Sequence, residues 1–241
     1  MSQVGQLEAG SRHDLRVGLS PDAPDADKIG NEAGGAFGYV HSYETSSRYD
    51  GPGLRAVLFV SGCLLRCTYC HNPDTWHLKD GTYVSAQQVL DRLAGFASAL
   101  RSMDGGLTIS GGEVMVQLAF TRRILAGAQK MGLHTAIETS GFLGDRVDES
   151  YLSALDMVLL DIKSSDPETY RRATGRELAP TLRFAERLAN RSGEHFGERS
   201  CRPDGLSGCD AQLLDHCQRR WSTYLCLDIG WLALRWQYLQ H

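Results

Sequence analysis

The chain has 241 residues, enough for one large α/β domain with a sizeable buried core. Its 29 acidic and 25 basic side chains leave a formal charge of -4, and no stretch concentrates Lys and Arg as a phosphate-tracking surface requires, so nucleic acid is not an implied partner. No apolar run approaches the roughly 18 residues that span a bilayer, and the start of the chain holds neither an apolar signal core nor an Arg-rich amphipathic pattern; no membrane partner and a cytoplasmic location are expected.

In chain order, residues 1–35 are rich in Gly, Ser, Asp, Pro and Ala, the composition of a disordered extension that cannot bury enough surface to offset the entropy of ordering. Alternation over 36–43 predicts a strand, and the apolar run 54–60 predicts another of the buried parallel kind. Between them, Asp50-Gly51-Pro52-Gly53 reads as a type II turn, with Pro52 setting φ and Gly53 allowing the positive φ that follows. Val89, Leu90, Leu93, Ala97 and Leu100 recur at helical spacing, giving one amphipathic helix that Ser85 can cap. Strands are then predicted at 107–109, 133–138 and 157–162, with helices over 117–130 and around Leu178, Leu182, Ala185 and Leu188. This is the rhythm of βα units around a parallel sheet. In such sheets ligands sit beyond the carboxyl ends of the strands, where Gly62-Cys63, Ser110-Gly111-Gly112-Glu113, Glu138-Thr139 and Asp161-Ile162-Lys163 all fall.

Seven cysteines is an odd number in a chain too long to need disulfide staples, and Cys63, Cys67 and Cys70 share one short loop. Three thiolates spaced CxxxCxxC can each bind one iron of a cubane cluster and leave the fourth iron open to chelate a small molecule. A zinc site is the alternative, although zinc favours paired CxxC units with a fourth Cys or His. The glycines of Ser110-Gly111-Gly112-Glu113 let the backbone approach a ligand with no Cβ in the way. Asp161 and Lys163, at alternate positions, point to one face.

The string GCLLRCTYCHNPDTW over 62–76 resembles the glycyl-radical-activating enzymes of the radical S-adenosylmethionine (SAM) superfamily. So do the DGPG turn followed by Arg55, and Tyr39-Val40-His41-Ser42 with Glu44 and Thr45. The resemblance runs without a break over about 36–189. It implies an α/β fold, a partial (β/α) barrel of the radical SAM type with a parallel sheet. It implies a [4Fe-4S] cluster on Cys63, Cys67 and Cys70, with SAM held by Tyr69, Cys70, His71, Gly111, Gly112, Glu113, Glu138, Thr139, Asp161, Ile162 and Lys163. In that scheme Tyr69 lies beside the adenine, the glycines meet the amino group, and Glu138 and Thr139 lie near the carboxylate and a monovalent cation. Three positions depart from the family pattern: Glu138 replaces an Asp, and Val114-Met115 replaces a Pro-Leu-like pair. The implied reaction is reductive cleavage of SAM, and the resulting radical abstracts hydrogen from a glycine of a partner glycyl radical enzyme. No catalytic residues beyond the cluster and SAM are implied. Lack of an eight-iron cysteine insert before Ser110 favours pyruvate formate-lyase as that partner, with flavodoxin or ferredoxin as electron donor.

The resemblance ends near Asn190. The run 191–201 holds no apolar strand, and Cys201, Cys209, Cys217 and Cys226 match no zinc or second-cluster spacing. The expectation is that the last βα units are missing or replaced over 190–241, through a frameshift or a fused unrelated end. The alternatives to a working activase are a cluster-binding but inactive relative, an activase of a different glycyl radical enzyme, and a zinc-binding structural module.

Overall fold

The computed structural model describes residues 34–191 and the backbone of one further strand, Thr223–Asp228. The extension expected over 1–35, apart from its last two residues, and the replaced tail expected over 190–241, apart from its first two residues and that strand, lie outside the described residues. Seven strands form one sheet among the described residues: β1 (Phe37–Ser47), β2 (Arg55–Val60), β3 (Thr82–Ser85), β4 (Gly106–Gly111), β5 (His134–Thr139), β6 (Met157–Ile162) and β7 (Thr223–Asp228), in the order β3-β1-β2-β4-β5-β6-β7. The predicted α/β class is the observed one. Strands β2, β4, β5 and β6 are parallel, while β1 and β3 at one side and β7 at the other pair antiparallel.

Burial on both faces explains why the central strands read as apolar runs. Leu58, Ile109, Ile137 and Leu160 are all buried in one core with Phe120 and Ile124 of α3 (Leu118–Lys130) and Phe184 and Leu188 of α6 (Ala179–Arg191). The helix predicted from Ser85 through Leu100 is two helices, α1 (Ala86–Ala94) and α2 (Ala97–Ser102), because the chain bends at Gly95 and Phe96 before both apolar stripes reach the core. Its start is as expected. The Ser85 side chain accepts from Gln88 N at 3.1 Å, and Gln88 Oε1 accepts from Ser85 N at 2.8 Å, a reciprocal capping box. The helix predicted from Gln117 begins as a 3-10 turn over Val114–Gln117, and the strand predicted from 133 begins at His134. Strand β3 and the short helices α4 (Glu149–Leu152) and α5 (Pro167–Thr174) carry no apolar periodicity long enough to be seen in the sequence.

At the amino ends of the parallel strands, Arg55 is 0% exposed. Its guanidinium donates to Thr108 Oγ1 at 3.0 Å, Leu107 O at 2.5 Å, Pro52 O at 3.4 Å and His134 O at 3.3 Å, stapling three strand starts and the turn before β2. In that turn Gly53 has φ 66°, the positive value the type II reading requires. The carboxyl ends of the same strands are left to form a rim.

Candidate active site

A cavity of about 350 Å³ opens at that rim, lined by the cysteine loop and by the ends of β2, β4, β5 and β6. All three expected cluster ligands, Cys63, Cys67 and Cys70, reach it, as do Tyr69, His71, Gly111, Gly112, Glu113, Glu138, Thr139, Asp161 and Lys163. Ile162 does not line the cavity. Successive strand side chains alternate faces, so Ile162 packs on the core while Asp161 and Lys163 turn to the cavity. Leu65, Asn72 and Trp76 of the quoted cysteine string and Ser110 of the quoted glycine loop also line the wall, while Phe59 and Ser140 lie outside the quoted motifs. Ser140 adjoins the quoted Thr139, so proximity to a motif is the signal that finds it.

The cysteine loop is held from both sides. Gly62 N and Cys63 N donate to Thr75 O and Trp76 O at 2.7 and 3.0 Å, and Arg66 N and Thr68 N donate to Thr174 O and Ala173 O at 2.8 and 2.9 Å. The second pair of acceptors belongs to the carboxyl end of α5, whose last carbonyls lack intrahelical donors. Burial and the negative charge of Glu113 push the Cys63 thiol up to about 12, and burial also raises Cys67, partly opposed by Lys163. Thiols held in this way must lose protons to a metal on binding it. Among the described residues no three His, Cys, Asp or Glu side chains converge on a single point. A cubane accommodates three separated thiolates because each binds its own iron.

The β4 loop meets the cysteine loop backbone to backbone. Gly111 has φ 116°, and a Cβ on Gly112 would lie 2.4 Å from Gly62 O, so both positions need glycine. Glu113, 1% exposed, is engaged at both oxygens: Oε1 accepts from Thr139 Oγ1 at 2.6 Å and Met115 N at 3.2 Å, Oε2 from Ser140 Oγ at 2.5 Å and Ser140 N at 3.1 Å. Its chemistry is therefore to lock the β4 loop to the end of β5. Thr139 spends its proton on Glu113 as well.

Glu138 and Asp161 differ from Glu113. Glu138 accepts from Ser110 Oγ at 2.6 Å, and burial raises its carboxyl above the ordinary range. Asp161, 4% exposed, pairs through Oδ2 with Lys163 Nζ, while its Oδ1 is buried and has no donor. A carboxylate oxygen lacking a donor in a cavity wall is costly and suits a bound donor or cation. Tyr69 is 37% exposed, donates to Lys163 O at 3.3 Å and carries Lys163 Nζ 5.9 Å from its ring centroid. It thereby bridges the cysteine loop to the end of β6. Among the described helices none is long and apolar enough to cross a membrane.

The family model described as "4Fe-4S single cluster domain" matches residues 49–175. The pyruvate formate-lyase-activating enzyme of Clostridium pasteurianum is 45% identical over 140 residues, 58% of each chain. The pyruvate formate-lyase 1-activating enzyme of Escherichia coli strain K12 is 37% identical over 158 residues, 65% of this chain and 64% of that one. A Listeria monocytogenes pyruvate formate-lyase-activating enzyme is 39% identical over 162 residues, 64% and 65%. The matched part thus spans 58 to 65% of those relatives' own length. A solved structure, "Structure of TYW1 with a lysine-pyruvate adduct bound", is 15% identical at a TM-score of 0.41 over 56% of this chain and 52% of that chain.

Proposed function

The chain belongs to the 4Fe-4S single cluster domain family, and we propose that it activates pyruvate formate-lyase by forming a glycyl radical on it, with SAM cleaved at a [4Fe-4S] cluster. One observation carries the reading: Cys63, Cys67 and Cys70 share a cavity with the carboxyl-end loops of β4, β5 and β6. When bound, the cluster supplies the electron that splits SAM, whose fragment then takes a hydrogen atom from a backbone glycine of the partner.

The chain's own part is to bind, orient and exclude. The three thiolates hold the cluster against the cysteine loop, which the α5 carbonyls keep in place. Gly111 and Gly112 bring backbone polar groups to the cofactor's amino group, in a loop that Glu113 locks by its four hydrogen bonds. Asp161 Oδ1 offers an unused acceptor and Lys163 a cation for the cofactor's carboxylate or ribose hydroxyls. Glu138 and Asp161, two carboxylates in one wall, suit a monovalent cation beside that carboxylate. Tyr69 and His71, both in the cavity wall, would line the cofactor, Tyr69 beside its adenine. Flavodoxin or ferredoxin supplies the electron.

Anaerobic reconstitution of the full chain with iron and sulfide, followed by SAM and dithionite, tests this. The reading expects 5′-deoxyadenosine and methionine, and a glycyl radical signal by electron paramagnetic resonance when pyruvate formate-lyase is added. The partial length match to the relatives favours a second reading, a cluster-binding relative without activity. That reading expects cluster absorbance and no 5′-deoxyadenosine. Zinc in place of iron after anaerobic purification sinks both.

A further inference from the structure

Helix α5 ends in Gly175, whose φ of 73° is the left-handed cap that donates to Arg171 O at 2.8 Å. Its missing Cβ would meet nothing within 4 Å, so conformation, and not crowding, asks for glycine. The turn sends the next residue, Arg176, back to the cysteine loop, where its Nε donates to Leu64 O at 2.8 Å. Arg66 donates from Nη1 to Cys63 O at 2.6 Å and Leu65 O at 2.8 Å. Three successive carbonyls of the loop therefore accept from two guanidiniums. Each guanidinium also lies over an aromatic ring, Arg66 5.1 Å from the Trp76 centroid and Arg176 5.9 Å from that of Phe142.

Holding two half-buried cations together is unfavourable in the chain alone: burial and then the Arg66 charge lower the affinity of Arg176 for its proton. An anion in front of the loop reverses that balance. A four-iron cluster on three thiolates is such an anion, and its reduced form carries one more negative charge than its oxidised form.

Resting on the reading given above, we propose that Arg176, together with Arg66, is a positioning pair that anchors the cysteine loop through its carbonyls and raises the cluster's reduction potential by placing positive charge behind Cys63, Leu64 and Leu65. Arg176 acts through the loop and the field, without touching substrate. The cluster's ease of reduction then depends on a residue more than a hundred positions from the cysteine motif.

The test is the midpoint potential of the reconstituted full chain, followed by the electron paramagnetic resonance of the reduced cluster, with iron and sulfide counted in each sample. Arg176→Gln keeps a donor and removes the charge. It is expected to lower the ratio of reduced to oxidised cluster about tenfold at a fixed poise, ~59 mV for one electron. Arg176→Lys keeps the charge and is expected to stay near wild type. A wild-type midpoint in the loaded Gln variant overturns this inference alone, and so does an equal drop in the Gln and Lys variants, which assigns the effect to the guanidinium's geometry. If the Gln variant cannot hold a cluster, the Lys variant decides: a wild-type midpoint supports the proposal and a tenfold drop overturns it. A wild-type chain that loads no four-iron cluster sinks the reading under the previous heading and this one with it.

Discussion

At the amino ends of β2, β4 and β5 the buried guanidinium of Arg55 is surrounded by acceptors, while at the carboxyl ends the buried carboxylate of Asp161 keeps one oxygen without a donor. Both groups are charged and nearly sealed from solvent. The first is satisfied by the fold itself, since carbonyls of the turn and two strand starts converge on it. The second is satisfied on one side only, by Lys163, and its other oxygen sits in the wall of the cavity that holds the cysteines. A buried charge that the chain fully partners serves stability; one that it half-partners marks where a ligand belongs.

Substitutions at the two ends should separate stability from chemistry. The largest effect is expected at the rim. Cys67→Ala removes one of the three proposed iron ligands and should abolish both cluster absorbance and 5′-deoxyadenosine formation, with the circular dichroism of the chain unchanged; a fully loaded variant breaks the assignment of the thiols. Next, Arg55→Ala strands several buried carbonyls and should cost about 3–5 kcal/mol in urea unfolding. Its cluster should still load at low temperature, which distinguishes a staple from a ligand.

Asp161→Asn keeps the shape of the wall and removes its charge. Stability should barely move, while SAM binding to the loaded chain, followed by equilibrium titration, weakens by about 1.5–3 kcal/mol, the range of a hydrogen bond to a charged group. Unchanged SAM affinity would mean that the orphan oxygen is only a packing defect.

The smallest effect is at Glu138, where the sign of the pH dependence is the readout. Burial raises its folded-state pKa above the unfolded value, so its contribution is fully present below the unfolded pKa and is lost as pH rises through the folded one. Glu138→Gln, which cannot ionise, should match wild type near about pH 4 and be the more stable of the two at about pH 7. Urea midpoints at the two pH values check this, and a wild type that is the more stable at the higher pH contradicts the burial argument.

The elements most legible in the sequence were those whose signals are local. Strands β2 and β6 announce themselves as apolar runs, Ser85 as a helix cap, and Cys63, Cys67 and Cys70 as a CxxxCxxC triplet on one loop. Helices α1 and α2 read as one in the sequence because their stripes share a period across Gly95, and only the packing shows the bend. Helix α5 has two buried side chains, Tyr170 and Thr174, too few to make a stripe, yet its last carbonyls seat the cysteine loop.

Strand identities, the cysteine triplet and the gathering of motifs at strand ends were thus determined by the sequence itself, because cysteine spacing and apolar periodicity are properties of neighbouring residues. The tertiary structure alone decided the role of each charge. Glu113 and Asp161 are both acidic residues at strand ends, and nothing nearby in the chain tells them apart. Thr139 and Ser140 occupy both oxygens of Glu113, whereas one oxygen of Asp161 finds no donor. The reason is that hydrogen-bond satisfaction in a buried wall is set by which strands lie side by side, and that is written only in the assembled sheet.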